Sequence, residues 1–311
     1  MSRSWPEIPY DAWRETCSAL QLYAQIVGKY RLARTPWVNH SWHATFYVGA
    51  RGFTTSAVPD APGNVEIVLD LLDHAVVGSG SNGRMGRFGL GPMSVADFHA
   101  RFIALLTELR ATPEFHGRPN EVPDPVPFAE DHVERPYDAA AVTRFFQASV
   151  AVDRVLKRFR TGFLGKVSPV HLFWGGFDIA VTRFSGRPAP LHPGGIPALP
   201  DEITREGYSH EVSSAGFWPG GPGVEFPAFY SYAYPAPPGF ADAPVEPEAA
   251  YFDTKLGEFV LPYDAVRQAR DPEAALMAFL ESTYRAAADL GGWDRGALEC
   301  ATGIPRRPRP M

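Results

Sequence analysis

Histidine and acidic side chains that stand outside the regular hydrophobic patterns are the residues of this sequence best suited to chemistry. Of nine histidines, His171 precedes a predicted strand, and His192 and His210 lie in a long irregular region. Neutral imidazole is a common ligand of zinc and iron, and Glu211 beside His210 could act as a general base. These residue types predict a divalent metal site, zinc or iron, with His171, His192 and His210 as ligands. No HExxH or His-x-His spacing is present, so hydrogen-bonded structural histidines stay an open alternative.

Asp178 is a second candidate for chemistry, because it interrupts an apolar run. An unpaired carboxylate in such a run is costly or is driven to its neutral form, so this residue needs a partner. Gly175 and Gly176 just before it allow another backbone or a ligand to approach closely. The pattern predicts either structural pairing, with Arg183 or a loop amide, or a catalytic acid or base. Asp178 and Glu211 are therefore the predicted catalytic acid or base residues.

His43 provides a third hypothesis. The string His43-Ala44-Thr45-Phe46 resembles one of the two His-x-Thr-apolar strand motifs of the 2H phosphoesterases, in which a pair of histidines flanks a phosphodiester. The resemblance implies a catalytic role for His43 together with Thr45. The duplicated position reads Gly-Gly-Phe-Asp at 175–178, so the second histidine of the pair is missing.

Composition limits the class of protein. The 311 residues are 45% hydrophobic and 21% charged, which is typical of a globular chain with a large core. A formal net charge of −6 argues against a general nucleic-acid binder, since neutralising phosphates requires an excess of Lys and Arg. Cys17 and Cys300 lie at opposite ends, and no signal-peptide core or membrane span is predicted. We therefore expect a cytoplasmic protein that binds a small molecule rather than nucleic acid or membrane.

Hydrophobic spacing predicts helices and strands in an order that occurs twice. In residues 1–112 it predicts a helix over 11–27, strands over 42–48, 65–72 and 87–90, and a helix after Ser94. In residues 137–299 it predicts a helix over 138–163, strands over 174–182 and 251–261, and a helix from Asp271-Pro272. A proline-rich crossover at 113–136 separates the two halves, and residues 300–311 form a tail.

Residues 185–247 are predicted to be a long loop region of the second half, because they are rich in glycine, proline and aromatic residues. Long irregular segments in compact domains are commonly functional. The aromatic residues between Phe217 and Tyr234 predict an ordered segment that packs against the body of the protein and covers a ligand. If this segment were ordered only at an interface between two copies of the chain, it would instead indicate a homodimer.

Matching spacings in the two halves indicate an internal duplication. Trp42 and Arg51 are nine residues apart, as are Trp174 and Arg183. The predicted fold is α+β, with two related halves arranged by a pseudo-two-fold axis. Each half is expected to contain a small, mainly antiparallel sheet flanked by helices, and a cleft between the halves is the natural site.

Four longer strings extend a family resemblance over nearly the whole chain. They are Asn39-His40-Ser41-Trp42-His43, Asn120-Glu121-Val122-Pro123-Asp124-Pro125, Ser168-Pro169-Val170-His171-Leu172-Phe173-Trp174 and Tyr208-Ser209-His210-Glu211-Val212-Ser213-Ser214. With these strings the chain resembles an uncharacterised bacterial family, the domain-of-unknown-function family five-nine-nine-six. The resemblance implies no activity, but it places five histidines, at 40, 43, 171, 192 and 210, within the family pattern. Ala215 stands where some relatives have Cys, so no catalytic thiol is expected there.

These observations favour a metal-dependent enzyme that acts on a small molecule, of unspecified reaction type. A non-catalytic binding protein, whose aromatic loop closes over its ligand, is the alternative from a different class. Phosphoesterase-like use of His43 and Thr45 is a further alternative.

Overall fold

Each half of the chain begins with a long helix, continues through six strands and returns to a helix that packs against them. The computed structural model describes residues 5–61, 63–221 and 223–309, so the predicted limits at residues 1 and 311 lie outside it. The first half contains α1 (Tyr10–Arg34), β1 (Tyr47–Val48), β2 (Gly52–Thr54), β3 (Val58–Asp60), β4 (Gly63–Asp70), β5 (Ala75–Gly80), β6 (Met85–Gly89) and α2 (Val95–Leu109).

The crossover predicted at 113–136 is irregular, apart from one turn of 3-10 helix at Phe128–Glu130. The second half then contains α3 (Ala139–Arg160), β7 (His171–Phe173), β8 (Asp178–Pro188), α4 (Asp201–Gly207), β9 (His210–Trp218), β10 (Ala228–Tyr234), β11 (Tyr251–Asp253), β12 (Glu258–Pro262), α5 (Tyr263–Arg267), α6 (Pro272–Leu290) and α7 (Arg295–Leu298). Within the described ranges, no helix is long and apolar enough to cross a membrane.

Polar caps explain why several helices begin where the sequence predicts them. The side chains of Ser94, Asp138 and Asp271 each accept a hydrogen bond from the backbone N–H three residues further on. These bonds satisfy donors that a helix leaves free at its first turn, and Pro272 needs no such partner. The predicted starts of α2, α3 and α6 are confirmed.

Both sheets are antiparallel, and they meet through their first strands. Strand order is β1-β2-β4-β5-β6 in the first sheet, with β3 paired to β4, and β11-β12-β10-β9-β8-β7 in the second. Phe46 and Leu172 exchange backbone hydrogen bonds of 2.9 and 2.8 Å, which link the start of β1 to β7. The α+β fold of two halves, each with an antiparallel sheet flanked by helices, is confirmed.

The proposed equivalence of individual residues is wrong. Arg51 lies in the turn before β2, where its half-exposed side chain pairs with Asp70, whereas Arg183 is 1% exposed within β8. Trp42 follows a 3-10 turn, and Trp174 lies in the turn between β7 and β8. The equal Trp-to-Arg spacing therefore does not mark equivalent positions, although the order of elements repeats.

Three predicted segments differ from the structure. The strand predicted over 42–48 is reduced to β1, because a turn with left-handed backbone at His40 and Ser41 precedes it. Residues 185–247 contain the end of β8, α4 and the whole of β9 and β10, so two strands of the second sheet lie within the predicted loop. The strand predicted over 251–261 is a hairpin, β11 and β12, because Gly257 at positive φ closes a turn between them.

The second sheet has two unlike faces. One face packs against α3 and α6 and buries the alternate residues Ile179, Val181, Phe217, Phe229 and Leu261, each at most 1% exposed. Side chains on the other face alternate with these along the same strands, as the period of an extended strand requires. Among the residues that the structure describes, no long helix covers that second face, and the face forms one wall of the candidate site.

Candidate ligand-binding cavity

The candidate site is a cavity of about 500 Å³ against the second face of this sheet. The alternate residues of four neighbouring strands form its floor. They are Asp178, Ala180, Thr182 and Phe184 of β8, Val212, Ser214 and Trp218 of β9, Tyr230 and Tyr232 of β10, and Glu258 of β12. Strand alternation therefore places carboxyl, hydroxyl and aromatic groups on a single surface.

Irregular segments from elsewhere in the chain form the roof. They are the turn at residues 37–42, the crossover at Asn120 and Glu121, and residues 196–208, which include α4. These segments add Trp37, His40, Trp42, Ile196, Leu199, Ile203 and Tyr208 to the lining. Loops from both halves thus enclose a site whose floor belongs to the second half alone.

Hydrogen bonds from Asn120 hold the crossover in place over the cavity. Its backbone N–H donates to the Gln25 side chain at 2.7 Å, and its carbonyl accepts from the same side chain at 2.8 Å. Its amide group donates to the Ala198 carbonyl, and the Glu121 N–H donates to the Pro197 carbonyl at 3.2 Å. The crossover and the 196–208 segment therefore support each other.

His40 connects the turn at residues 37–42 to the 196–208 segment by hydrogen bonds. Its backbone N–H donates to the Glu206 carboxylate at 2.8 Å, and its Nδ1 lies 2.8 Å from the Gly207 carbonyl, to which it donates. Its Nε2 lies 2.5 Å from the Lys166 ammonium, which acts as donor. This pattern requires the neutral ring with its proton on Nδ1. Burial also lowers the pKa of His40, which favours the neutral form.

Asp178 lies on the floor and has a hydrogen-bond partner. The Tyr230 hydroxyl donates to its Oδ2, so the predicted need for a partner is met by a tyrosine rather than by Arg183. Burial raises the pKa of Asp178 to about 6, and the bond from Tyr230 opposes this rise. Burial, followed by the charge of Asp178, keeps the pKa of Tyr230 well above its usual value, so its hydroxyl remains a donor.

Two further carboxyl groups share the cavity with Asp178. Burial, and then the charge of Asp178, raise the pKa of Glu121 to about 7 and that of Glu258 to about 7. Glu121 keeps access to solvent along the cavity, although protein atoms enclose its carboxyl group on most sides. All three acids therefore change charge near neutral pH, the range in which proton transfer is efficient.

Because Gly175 and Gly176 have no side chains, the carboxyl groups of Glu121 and Asp178 can lie close to the backbone there. A Cβ atom on Gly175 would lie 2.0 Å from Glu121 Oε1, and one on Gly176 would lie 2.8 Å from Asp178 Oδ1 and 3.7 Å from Glu121 Oε2. The close approach at these glycines is that of the Glu121 side chain, whereas another backbone or a ligand was predicted there. Both carboxyl groups occupy one corner of the cavity.

Further polar groups of the cavity are paired with each other. The hydroxyls of Tyr208 and Tyr232 are 2.9 Å apart, and those of Thr182 and Ser214 are 2.8 Å apart. Each pair retains donor or acceptor capacity that a ligand could use, because a hydroxyl has one proton and two lone pairs.

Lys29 is a buried cation close to this site, and it does not line the cavity. Its ammonium group donates to Asn120 Oδ1 and lies 5.5 Å from the centre of the Trp174 ring. Burial lowers the pKa of Lys29 to about 8, and the charge of Glu121 opposes this shift. Lys29 therefore supports the crossover from behind and is only partly charged at slightly alkaline pH.

The predicted metal ligands lie in three different surroundings. His171 is 1% exposed in β7, with its Nδ1 2.8 Å from the Pro169 carbonyl, and burial lowers its pKa to about 4. The ring of His192 stacks on Tyr208 at 4.6 Å. The ring of His210 lies 6.2 Å from that of His40. In the described part of the chain, no three His, Cys, Asp or Glu side chains are grouped to hold a metal ion.

Glu211 and His43 also lie outside the cavity lining. The Glu211 carboxylate pairs with Arg187 at 2.6 Å and accepts from the Ser185 hydroxyl at 2.7 Å. His43 is buried against Trp37, and its Nε2 has no hydrogen-bond partner among the described residues. Asp178 is thus the predicted catalytic candidate that the structure places in the cavity.

Glu121, Glu258 and the three cavity tyrosines were not among the predicted site residues. A signal was present for Tyr230 and Tyr232, whose alternation with Phe229 and Ser231 is typical of a strand with one polar face. Glu121 and Glu258 had no such local signal. They reach the cavity only because the crossover and the β10–β12 pairing bring distant segments together.

The fold and the cavity define an α+β protein with two antiparallel sheets and a site enclosed on one of them. The sequence profile of DUF5996, a family of unknown function, matches residues 5–300, and the chain belongs to this family. Comparisons with curated proteins and with solved structures found no match. Its function therefore has to be inferred from the chemistry of the cavity.

Proposed function

We propose that the protein binds a small, largely apolar molecule in the cavity and holds the polar end of that molecule at the carboxyl groups. The observation that carries this proposal is an enclosed space of about 500 Å³ in which aromatic and aliphatic walls surround a few convergent polar groups. This combination is typical of small-molecule sites. Metal dependence and a homodimer stay predictions from the sequence.

The apolar rings and the carboxyl groups of the cavity would recognise different parts of such a ligand. Rings of Trp42, Phe173 and Trp218 offer apolar surface, which favours an apolar or aromatic body through burial. Asp178 and Glu258 lie on the floor and fix the orientation of a polar group. The expected ligand is therefore amphipathic.

A ligand screen with a filled cavity tests this proposal. Ile203→Trp adds a large ring to the roof, and Leu191→Trp is the matched control, because Leu191 is 76% exposed in the same part of the chain. We expect compounds that raise the thermal midpoint of the wild type and of Leu191→Trp but not that of Ile203→Trp. If every stabilising compound acts equally on all three proteins, the cavity is not the binding site.

An acid-base enzyme is a second candidate function. Asp178 and Glu121 approach the same glycine and face one enclosed space, and the Tyr230 hydroxyl donates to Asp178. Two carboxyl groups with pKa values of about 6 and about 7 can hold one proton and one charge between them at neutral pH. Such a pair is suited to removing a proton from a bound molecule and returning it elsewhere.

Incubation with a metabolite extract separates the two candidates. The wild type and Asp178→Asn would be incubated with the same extract, and mass spectrometry would follow every component. An enzyme consumes a compound that persists with Asp178→Asn, and it releases a product. A binding protein leaves the composition unchanged while it still retains a compound on filtration.

A further inference from the structure

The acidic groups of the cavity lack matching donors from the protein. Among the residues that the structure describes, Glu121 and Glu258 accept no hydrogen bond, and Asp178 accepts one side-chain bond, from Tyr230. Glu121 borders the cavity and keeps access to solvent, so a bound molecule can take a donor site at its carboxyl group that the protein itself leaves open.

The surroundings of these acids contain little positive charge. No Lys or Arg is present among the described residues that line the cavity. Lys29 acts on Glu121 from behind the wall, where its ammonium is already bonded to Asn120. Lys166 lies beside another part of the lining, where its ammonium is 2.5 Å from His40 Nε2 and lies over the Trp42 and Phe184 rings. One partly charged lysine beside the acids does not neutralise three carboxyl groups, so an anion bound there would be repelled.

Aromatic rings surround the same space. Lysines of the protein already lie over the rings of Trp42, Trp174 and Phe184. Among the described residues no Lys or Arg lies over the rings of Phe173, Trp218, Tyr230 and Tyr232, which also line the cavity. The faces of such rings attract cations as well as apolar groups, with Trp the strongest. Carboxyl groups beside aromatic walls are the combination by which proteins hold organic ammonium ions.

We infer that the ligand is an organic amine, in which a protonated amino group contacts Glu121 and Asp178 in their shared corner while an apolar or aromatic body packs against the rings. This inference rests on the proposed function and specifies its ligand class. A metal ion fits the acids less well, because no three of the described ligand-type side chains are grouped to hold one. A neutral polyol would leave the carboxyl groups without counter-charge.

The inference also fixes how binding depends on pH. An ammonium ion favours the ionised form of each carboxyl group, so binding releases protons below the pKa values of about 6 and about 7. Affinity for an amine should therefore rise between about pH 5 and 7.5 and stay level until the amine itself loses its proton. A neutral ligand would show the opposite trend or none.

A matched set of probes tests the ligand class. Tryptamine, tryptophol and indole-3-acetate share an indole ring and differ in their end group, and hexylamine, hexanol and hexanoate repeat the comparison without a ring. Calorimetric titration at about pH 7.5 should show the amine of each set binding at least about tenfold more tightly than the alcohol. The carboxylates should bind more weakly still.

Substitution of the acids tests whether they cause the preference for amines over alcohols. Glu121→Gln should weaken binding of the amine about tenfold and leave the alcohol unchanged, whereas Glu248→Gln, an exposed acid, should change neither. Thermal midpoints would show that every variant is folded, and Asp178→Asn provides a second test if Glu121→Gln is not.

The outcomes distinguish this inference from the proposed function. Alcohols or carboxylates that bind as tightly as amines, with binding lost in Ile203→Trp, would overturn the amine and leave the binding function intact. Amine binding that Glu121→Gln does not change would also overturn the inference. If no probe of either set binds the wild type, the proposed function and the inference both fail.

Discussion

The two faces of the second sheet are built from the same strands, yet they have different properties. On β8, Ile179 and Val181 lie in a closed core, while Asp178 and Thr182 line the cavity. Helices α3 and α6 cover the first face, whereas loops and the short helix α4 cover the second. A helix presents a continuous ridge of side chains that fills the space above a sheet, whereas loops cross it and leave a gap. The cavity therefore follows from how the sheet is covered.

The largest effect is expected on the closed face. Phe217 is fully buried and packs its ring 5.4 Å from Phe229, so Phe217→Ala should reduce the free energy of unfolding by about 3–5 kcal/mol. Its neighbour Trp218 lines the cavity, and Trp218→Ala should cost less, because part of its ring already faces open space. Urea denaturation measures both. Equal losses would mean that the two faces are packed equally well.

A pH-dependent effect is expected on the cavity face. The pKa of Glu258 is about 7 in the folded protein and near 4.5 in an unfolded chain, so folding binds a proton between these values. The stability that this group contributes is present below pH 4.5 and is lost as pH rises through 7. Glu258→Gln should therefore be more stable than the wild type at pH 8 by about 1–2 kcal/mol, with no difference near pH 4.

Denaturation of both proteins from about pH 4 to 8 checks this prediction. Glu248→Gln is the control, because that side chain is exposed, and its stability should follow that of the wild type throughout. A constant difference between Glu258→Gln and the wild type would show that the effect is not due to ionisation.

The smallest effect is expected for a hydroxyl that borders the cavity. Tyr208→Phe removes the 2.9 Å bond to the Tyr232 hydroxyl, and it should cost about 1 kcal/mol, because cavity water can replace the lost partner. Thermal unfolding would detect this change. A loss as large as that of Phe217→Ala would place Tyr208 in the core rather than at the cavity.

Local signals explain the parts of the fold that the sequence predicted. Caps at Ser94, Asp138 and Asp271 act within one helical turn, so the starts of three helices could be recognised from a few neighbouring residues. The prediction of a strand over 42–48 is wrong for most of that range. The backbone turns at His40 and Ser41, just before it, so the alternating residues that follow do not begin an extended strand. Backbone turns of this kind depend on contacts such as that between His40 and Gly207, which are distant in sequence.

The candidate site was predictable only in part. Asp178 was recognised because a carboxyl group in an apolar run is conspicuous by itself. Glu121 comes from the crossover and Glu258 from the last strand pair, and no spacing rule connects either residue to Asp178. The three predicted metal ligands were chosen because they are histidines. In the structure His171 is buried in a strand, whereas His192 stacks on Tyr208. Convergence of side chains depends on sheet register, which the sequence does not display.

The backbone link between Phe46 and Leu172 also bears on the synthesis of the chain. An unpaired strand edge invites pairing with other chains, and the first half leaves the ribosome before β7 exists to cover it. β1 is only two residues long, so it offers a very small template to a neighbouring nascent chain. The brevity of this strand, which makes it hard to recognise in the sequence, leaves few backbone groups at this edge for another chain to pair with.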